Sequence, residues 1–240
     1  MVSKNEQKFI KSLKVKKYRT REECFLVEGS KNVLELLNSD FKVDLLIGTE
    51  AFFQSNTIND AIRREIVKVD LLEQLSTFKT NTTSLAVVQF KKAVVRPDNS
   101  AQFVLDGVGD PGNLGTIIRT LDWFGYDKLI CSNDCAEFYH PKVIASTMGS
   151  FTRINVEYVD IGQYLAGVSR PVYAADMNGK SIHQTSIANP SVILMGSESN
   201  GISSDSKKYV TDYISIPKVG EAESLNVGVA TGIIANHLRF

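Results

Sequence analysis

Three polar segments in the second half of this chain combine residue types that can hold a ligand and act on it. The first, Phe103-Val104-Leu105-Asp106-Gly107-Val108-Gly109-Asp110-Pro111-Gly112-Asn113-Leu114-Gly115, is a strand, a glycine-rich turn and a helix start. In that helix Leu114, Ile117, Ile118 and Leu121 form an apolar stripe, with Asn113 read as its N-cap. Gly115, Arg119 and Asp122 lie on another face, where glycine admits close approach and a guanidinium can reach an anion or a hydroxyl. The second segment, Val192-Ile193-Leu194-Met195-Gly196-Ser197-Glu198-Ser199-Asn200-Gly201-Ile202, is an apolar strand opening into a polar loop. Ligands of α/β sheets bind at such strand ends, and Glu198 beside an apolar strand needs a partner. In the third, Ile214-Ser215-Ile216-Pro217 leads to Ser224-Leu225-Asn226-Val227 before a last helix. Helix capping accounts for Ser224 or Asn226 taken alone.

The first segment also holds a literal G-x-G-x-x-G at Gly107, Gly109 and Gly112, with Asp127 within ~20 residues, the pattern of a dinucleotide-binding turn. A nicotinamide oxidoreductase is therefore a rival reading. Against it, Pro111 removes a backbone N–H that a pyrophosphate cradle would use. A dinucleotide also leaves the second and third segments without a role.

The elements that position these segments follow from apolar patterning. Strands are predicted at 103–105, 128–131, 153–158, 172–175, 192–195 and 213–216, and near-continuous apolar runs among them suit a parallel sheet covered on both faces. Val227, Ala230, Thr231, Ile234 and Leu238 form the stripe of the last helix. The first third predicts a smaller α/β unit, with strands at 25–27, 43–47, 66–69 and 85–88 and a helix capped by Ser30. Between them, 91–100 loses periodicity and ends in turn-forming residues. The chain thus divides into 1–93, a linker at 94–100, and 101–240.

The 240 residues carry no net charge, yet Lys4, Lys8, Lys11, Lys14, Lys16, Lys17, Arg19 and Arg21 meet only Glu6 in the same stretch. Such a patch suits RNA phosphates as well as a solvated helix face. Cys24, Cys131 and Cys135 are too few and too scattered for a disulfide framework, which fits a reducing cytoplasm. No Cys/His set has zinc spacing, so no metal is expected. No run approaches the ~18 apolar residues of a membrane span, and the charged start lacks a signal core.

Together the three segments resemble the SpoU (TrmH-type) family of RNA 2′-O-ribose methyltransferases, within the SPOUT class. The resemblance rests on Asp110-Pro111-Gly112-Asn113-Leu114-Gly115-Thr116-Ile117-Ile118-Arg119, on Met195-Gly196-Ser197-Glu198-Ser199-Asn200-Gly201, and on Ile216-Pro217 with Ser224-Leu225-Asn226-Val227. Tyr139-His140-Pro141-Lys142-Val143 and Met148-Gly149-Ser150 add to it. Phe25-Leu26-Val27-Glu28-Gly29 is similar to the substrate-binding domain attached to many members.

The resemblance implies an α/β fold. Its C-terminal SPOUT domain has a parallel sheet and a deep trefoil knot, and a small N-terminal α/β RNA-binding domain precedes it. Spacing alone could not suggest the knot. It implies methyl transfer from S-adenosylmethionine to a ribose 2′-hydroxyl of structured RNA, ribosomal ahead of transfer RNA, by a cytoplasmic homodimer. Arg119, Asn113, Glu198, Ser224 and Asn226 would form the catalytic cluster. Met195, Gly196, Ser197, Gly201, Ile216, Pro217, Leu225 and Val227 would bind the cofactor. Lys11, Lys14, Lys16, Lys17, Arg19 and Arg21 would meet RNA. Many relatives carry an arginine where this chain has Ile144 or Ala145. Arg119 has been proposed for the family as the base, yet a guanidinium is not readily deprotonated. An orienting role for Arg119, with Glu198 holding Arg119 or Asn113, is the expectation. A catalytically inactive RNA-binding protein and a base methyltransferase of the knotted class are the nearer rivals.

Overall fold

A computed structural model describes residues 2–91 and 101–240; the predicted linker at 94–100 lies outside them. In chain order the elements are α1 (Lys4–Ser12), α2 (Lys16–Glu22), β1 (Cys24–Glu28), α3 (Ser30–Leu37), β2 (Val43–Gly48), α4 (Glu50–Ser55), β3 (Arg64–Ile66), α5 (Val69–Leu75), β4 (Ser84–Gln89), β5 (Gln102–Asp106), α6 (Pro111–Trp123), β6 (Lys128–Ser132), α7 (Pro141–Thr147), β7 (Asn155–Val159), α8 (Ile161–Ala166), β8 (Val172–Ser181), β9 (Val192–Gly196), α9 (Ser204–Lys207), β10 (Asp212–Ser215) and α10 (Val227–Arg239). They form two compact units, Met1–Lys92 with Tyr139–Thr152, and Ala93–Phe138 with Arg153–Phe240.

The first unit is built on a four-stranded sheet ordered β1-β4-β2-β3. β4 is antiparallel to both β1 and β2, and β3 adds three parallel residues at the edge. Ile10 of α1 and its C-cap Leu13 pack with Leu26, Ile47, Leu72 and Leu85. The first helix begins at a capping box: Ser3 Oγ accepts the Glu6 N–H at 3.3 Å, and Glu6 accepts the Ser3 N–H at 2.7 Å. That backbone bond, helped by the Arg63 guanidinium, lowers the Glu6 carboxyl to about 2. The third strand lies at Arg64–Ile66 and not at 66–69, because Lys68 is the N-cap of α5 and Val69 its first residue. Ser30 caps nothing. The chain turns through Gly29, the N-cap, so Ser30 is the first helical residue.

Tyr139–Thr152 joins this unit although it lies within the predicted second domain. Aromatic packing explains the placement. Tyr139 stacks on Phe90 at 4.1 Å and lies 4.5 Å from Phe25, while Phe151 meets Phe25 edge-on at 6.2 Å. The Tyr139 hydroxyl also accepts the Lys91 N–H at 3.0 Å and lies 3.2 Å from the Lys91 carbonyl, to which it donates. Ile144 is buried and Ala145 only half so. Ala145 is therefore the position of the two at which a relative's arginine could reach solvent.

The second unit is a six-stranded sheet ordered β10-β8-β9-β5-β6-β7, parallel throughout. Val104, Ile130, Val172, Ala174, Val192 and Leu194 share one core cluster. All six predicted strands are present, with one extension: β8 runs on to Ser181. α6 and α10 pack side by side, with Gly228 of α10 facing Thr116. Among the described residues no helix is long and apolar enough to cross a membrane, and no group of three or more His, Cys, Asp or Glu could hold a metal.

One basic residue changes role. Arg19 is 1% exposed and donates to the Leu13 carbonyl at 2.9 Å, so it braces the turn after α1 and cannot reach RNA phosphates. Lys14 is half-buried, its Nζ donating to the Ser76 carbonyl at 2.5 Å, and burial pushes its pKa down. Arg19→Ala should cost about 2–4 kcal/mol of stability by stranding buried acceptors. Lys16→Ala, at an exposed site, should change it by less than about 0.5 kcal/mol. Urea unfolding of the two variants checks the contrast; equal midpoints would refute the structural role of Arg19.

Candidate active site

The three polar segments meet at the carboxyl end of the parallel sheet. β5 and β9 are neighbours paired from Gln102–Val192 to Asp106–Gly196, so their following loops leave the sheet side by side. α6 starts at Pro111, with Asp110 as N-cap accepting the Asn113 N–H at 2.9 Å. The expected cap, Asn113, is thus inside the first turn. Proline at the first helical position costs no hydrogen bond and has the helical φ, so it selects Asp110 as the cap. This frees the Asn113 side chain.

That side chain joins the segments. Asn113 Nδ2 donates to Glu198 Oε1 in the loop after β9, and Asn113 Oδ1 accepts from Asn226 Nδ2 at 2.9 Å. Asn226 is in turn the N-cap of α10, its Oδ1 accepting the Gly228 N–H at 2.9 Å and the Val229 N–H at 3.4 Å. An amide is the group for this position, since it can donate to a carboxylate on one side and accept on the other. Glu198 therefore holds Asn113 and not Arg119. Arg119, two turns into α6, is exposed and makes no hydrogen bond or ion pair among the described residues. Asp122, on the same predicted face, is taken up by Arg153 at 2.9 Å.

The loop after β9 is closed on itself. Ser197 and Gly201 exchange backbone hydrogen bonds at 3.1 and 2.9 Å. A Cβ on Gly196 would lie 2.3 Å from the Gly201 carbonyl carbon, so no side chain fits there. Asp106, buried at the end of β5, accepts the Ser203 N–H at 2.8 Å and ties down the loop's exit. Met195 and Val227 are buried, Gly196, Ser197 and Ile216 half-buried, and Gly201, Pro217, Ser224 and Leu225 exposed. Met195 and Val227 can thus shape the site only from beneath. Ser224 makes no hydrogen bond among the described residues and does not join the bonded trio.

The end of β6 adds Ser132 and Asp134, which the sequence alone did not single out. Gly107, at φ +74, turns the chain out of β5, and its N–H donates to Ser132 Oγ at 2.9 Å. That N–H is thereby spent within the protein, which weighs further against a pyrophosphate cradle. The Ser132 hydroxyl donates to Asp134, and Cys135 Sγ lies 3.4 Å from Ser132 Oγ. Hydrogen bonding from Cys131 and Ser132 outweighs burial and lowers the Cys135 thiol to about 7, while burial drives Cys131 well up. Ser132 to Cys135 directly follow an apolar strand, but that β6 lies next to β5 is a property of the sheet order.

Residues 100–236 match the SpoU rRNA Methylase family, and residues 4–86 match the MRM3-like substrate binding domain. A curated relative is the 23S rRNA (guanosine(2553)-2′-O)-methyltransferase RlmP of Bacillus subtilis, 29% identical over 95% of this chain and 94% of its own. Among solved structures, a TrmH-family protein of Porphyromonas gingivalis is 33% identical, with a TM-score of 0.90 over 100% of this chain and 98% of that one. An AdoMet-bound rRNA methyltransferase of Sinorhizobium meliloti is 25% identical, with a TM-score of 0.85 over 100% and 96%. The family-model match over more than half of the chain and the near full-length relatives show that the chain belongs to the SpoU (TrmH-type) family of S-adenosylmethionine-dependent RNA 2′-O-ribose methyltransferases.

Proposed function

We propose that this protein methylates a ribose 2′-hydroxyl of ribosomal RNA in the cytoplasm, working as a homodimer whose methyltransferase domain is threaded into a deep trefoil knot. The Asn113 bridge between Glu198 and Asn226 carries the reading, because it joins all three segments of the site. The ribosomal substrate is supported by the near full-length likeness to the rRNA enzyme of Bacillus subtilis.

The loops fit the cofactor. Residues 217–225 make no hydrogen bond among the described residues, and Leu225 among them is 47% exposed. An adenosine needs such a pairing of open backbone groups with an apolar surface. Bound there, S-adenosylmethionine supplies an electrophilic methyl group on a cationic sulfur. Gly196, Ile216 and Leu225 hold it, with Met195 and Val227 supporting from the core. Asn113, fixed on both sides, and Arg119, free to turn toward substrate, position the ribose hydroxyl and an adjacent phosphate. Most of the rate comes from that alignment, and Arg119 acts as a cation and donor.

The RNA is received on the first unit by Lys11, Lys16, Lys17 and Arg21, with Lys4 and Lys8, all exposed. Lys4, Lys8 and Lys11 recur at helical spacing along one face of α1. The dimer is supported by Val229 and Ile233 of α10, 51% and 37% exposed, and by Trp123 of α6 at 85%. Apolar side chains of this size along a helix pair mark a surface that is covered in use.

Mass-spectrometric comparison of ribosomal RNA from cells with and without the protein should show the loss of one 2′-O-methylnucleoside. A lost base methyl or an unchanged RNA would refute the reading. Arg119→Ala should reduce methyl transfer to below roughly 1% of wild type with the AdoMet Kd within about threefold; near-normal turnover would remove Arg119 from the mechanism. Gly196→Ala should weaken AdoMet at least about 100-fold in calorimetry, because its Cβ collides with backbone. Unimpaired binding would displace the loop after β9 from the cofactor site.

A further inference from the structure

A carboxylate at the end of β6 has no part in the mechanism above. Asp134 is exposed, and its Oδ1 accepts the Ser132 hydroxyl. Ser132 Oγ is itself held by the Gly107 N–H at 2.9 Å, so the carboxylate is fastened to the turn out of β5. Its other oxygen, Oδ2, makes no hydrogen bond among the described residues. A Cβ built on Gly107 would lie 3.2 Å from Oδ2 and 3.7 Å from the Ser197 Cβ. A fixed carboxylate oxygen and the first residue of the β9 loop therefore both lie against Gly107.

The other carboxylates of this region are engaged. Glu198 accepts from Asn113, Asp110 caps α6 and Asp106 holds Ser203. Glu221 and Glu223 sit on the exposed loop and are held by no hydrogen bond among the described residues. A preset negative charge repels the phosphates of RNA but attracts a cation. S-adenosylmethionine carries two, the sulfonium and the α-ammonium, both on its methionine arm.

We propose that Asp134 is a cofactor-binding residue that receives a cationic group of the methionine arm of S-adenosylmethionine. The assignment rests on the cofactor loops as placed above. Ser132 and Gly107 are then positioning residues, orienting the carboxylate through their two hydrogen bonds.

Calorimetry on the full-length protein and on Asp134→Asn tests this with three ligands. They are S-adenosylmethionine, S-adenosylhomocysteine, which keeps the ammonium but not the sulfonium, and 5′-methylthioadenosine, which has neither charge. Asparagine can still accept the Ser132 hydroxyl, so the turn is preserved. The expected result is a loss of about tenfold for S-adenosylmethionine, as for an ion pair cut to a neutral contact, with methylthioadenosine within twofold. A parallel loss for S-adenosylhomocysteine places the contact at the ammonium; an unchanged value places it at the sulfonium. An unchanged Kd for S-adenosylmethionine would overturn the proposal. So would equal losses for S-adenosylmethionine and methylthioadenosine, which would mean damage to the Gly107 turn, or a loss confined to RNA binding. Failure of the wild-type protein to bind any of the three would overturn the cofactor loops themselves.

Discussion

One amide joins the three polar segments of the second unit. Asn113 ties the start of α6 to the loop after β9 through Glu198 and to the start of α10 through Asn226. Each element is locally stable without it: α6 has Asp110, α10 has its own cap in Asn226, and the β9 loop is closed by Ser197 and Gly201. None of those local devices fixes one segment relative to another. The Asn113 bridge does, and it does so in the partly exposed mouth of the site, where a missing partner is replaced by water and the geometry loosens.

The supporting shell follows the same logic. Asp106 lies at the last residue of β5 and reaches across to Ser203, and Ser132 reaches from β6 to Gly107. Both bonds start on buried strands and end on loop backbone, so the sheet dictates where the loops begin. Gly196 allows the β9 loop to fold back against itself, which brings Glu198 within reach of α6. Arg119, by contrast, makes no side-chain hydrogen bond or ion pair among the described residues.

Much of this was legible in the residues. Apolar runs such as Val192-Ile193-Leu194-Met195 revealed the central strands, because strands covered on both faces leave little ambiguity. The short edge strand β3 was misplaced, since three residues carry almost no period. The cap of α6 went to Asn113 when Asp110 and Pro111 together point to Asp110; both side chains are good caps, and only the proline decides. Arg19 looked like one more surface cation because burial is a tertiary property. The attachment of Tyr139–Thr152 to the first unit was hidden for the same reason, as it depends on Phe90 stacking on Tyr139 and on Phe25 packing against it. Asp134 needed the sheet order before it could be placed near Gly107.

The Asn113–Glu198 bond makes the two residues a candidate single device in methyl transfer. A double-mutant cycle on single-turnover rates, with Asn113→Ala, Glu198→Ala and the double variant, tests it most directly. The expected double variant is no slower than the worse single, because either substitution already breaks the bridge. Losses that multiply, with the double variant slower by the product of the two, would show that the residues act independently and would contradict it.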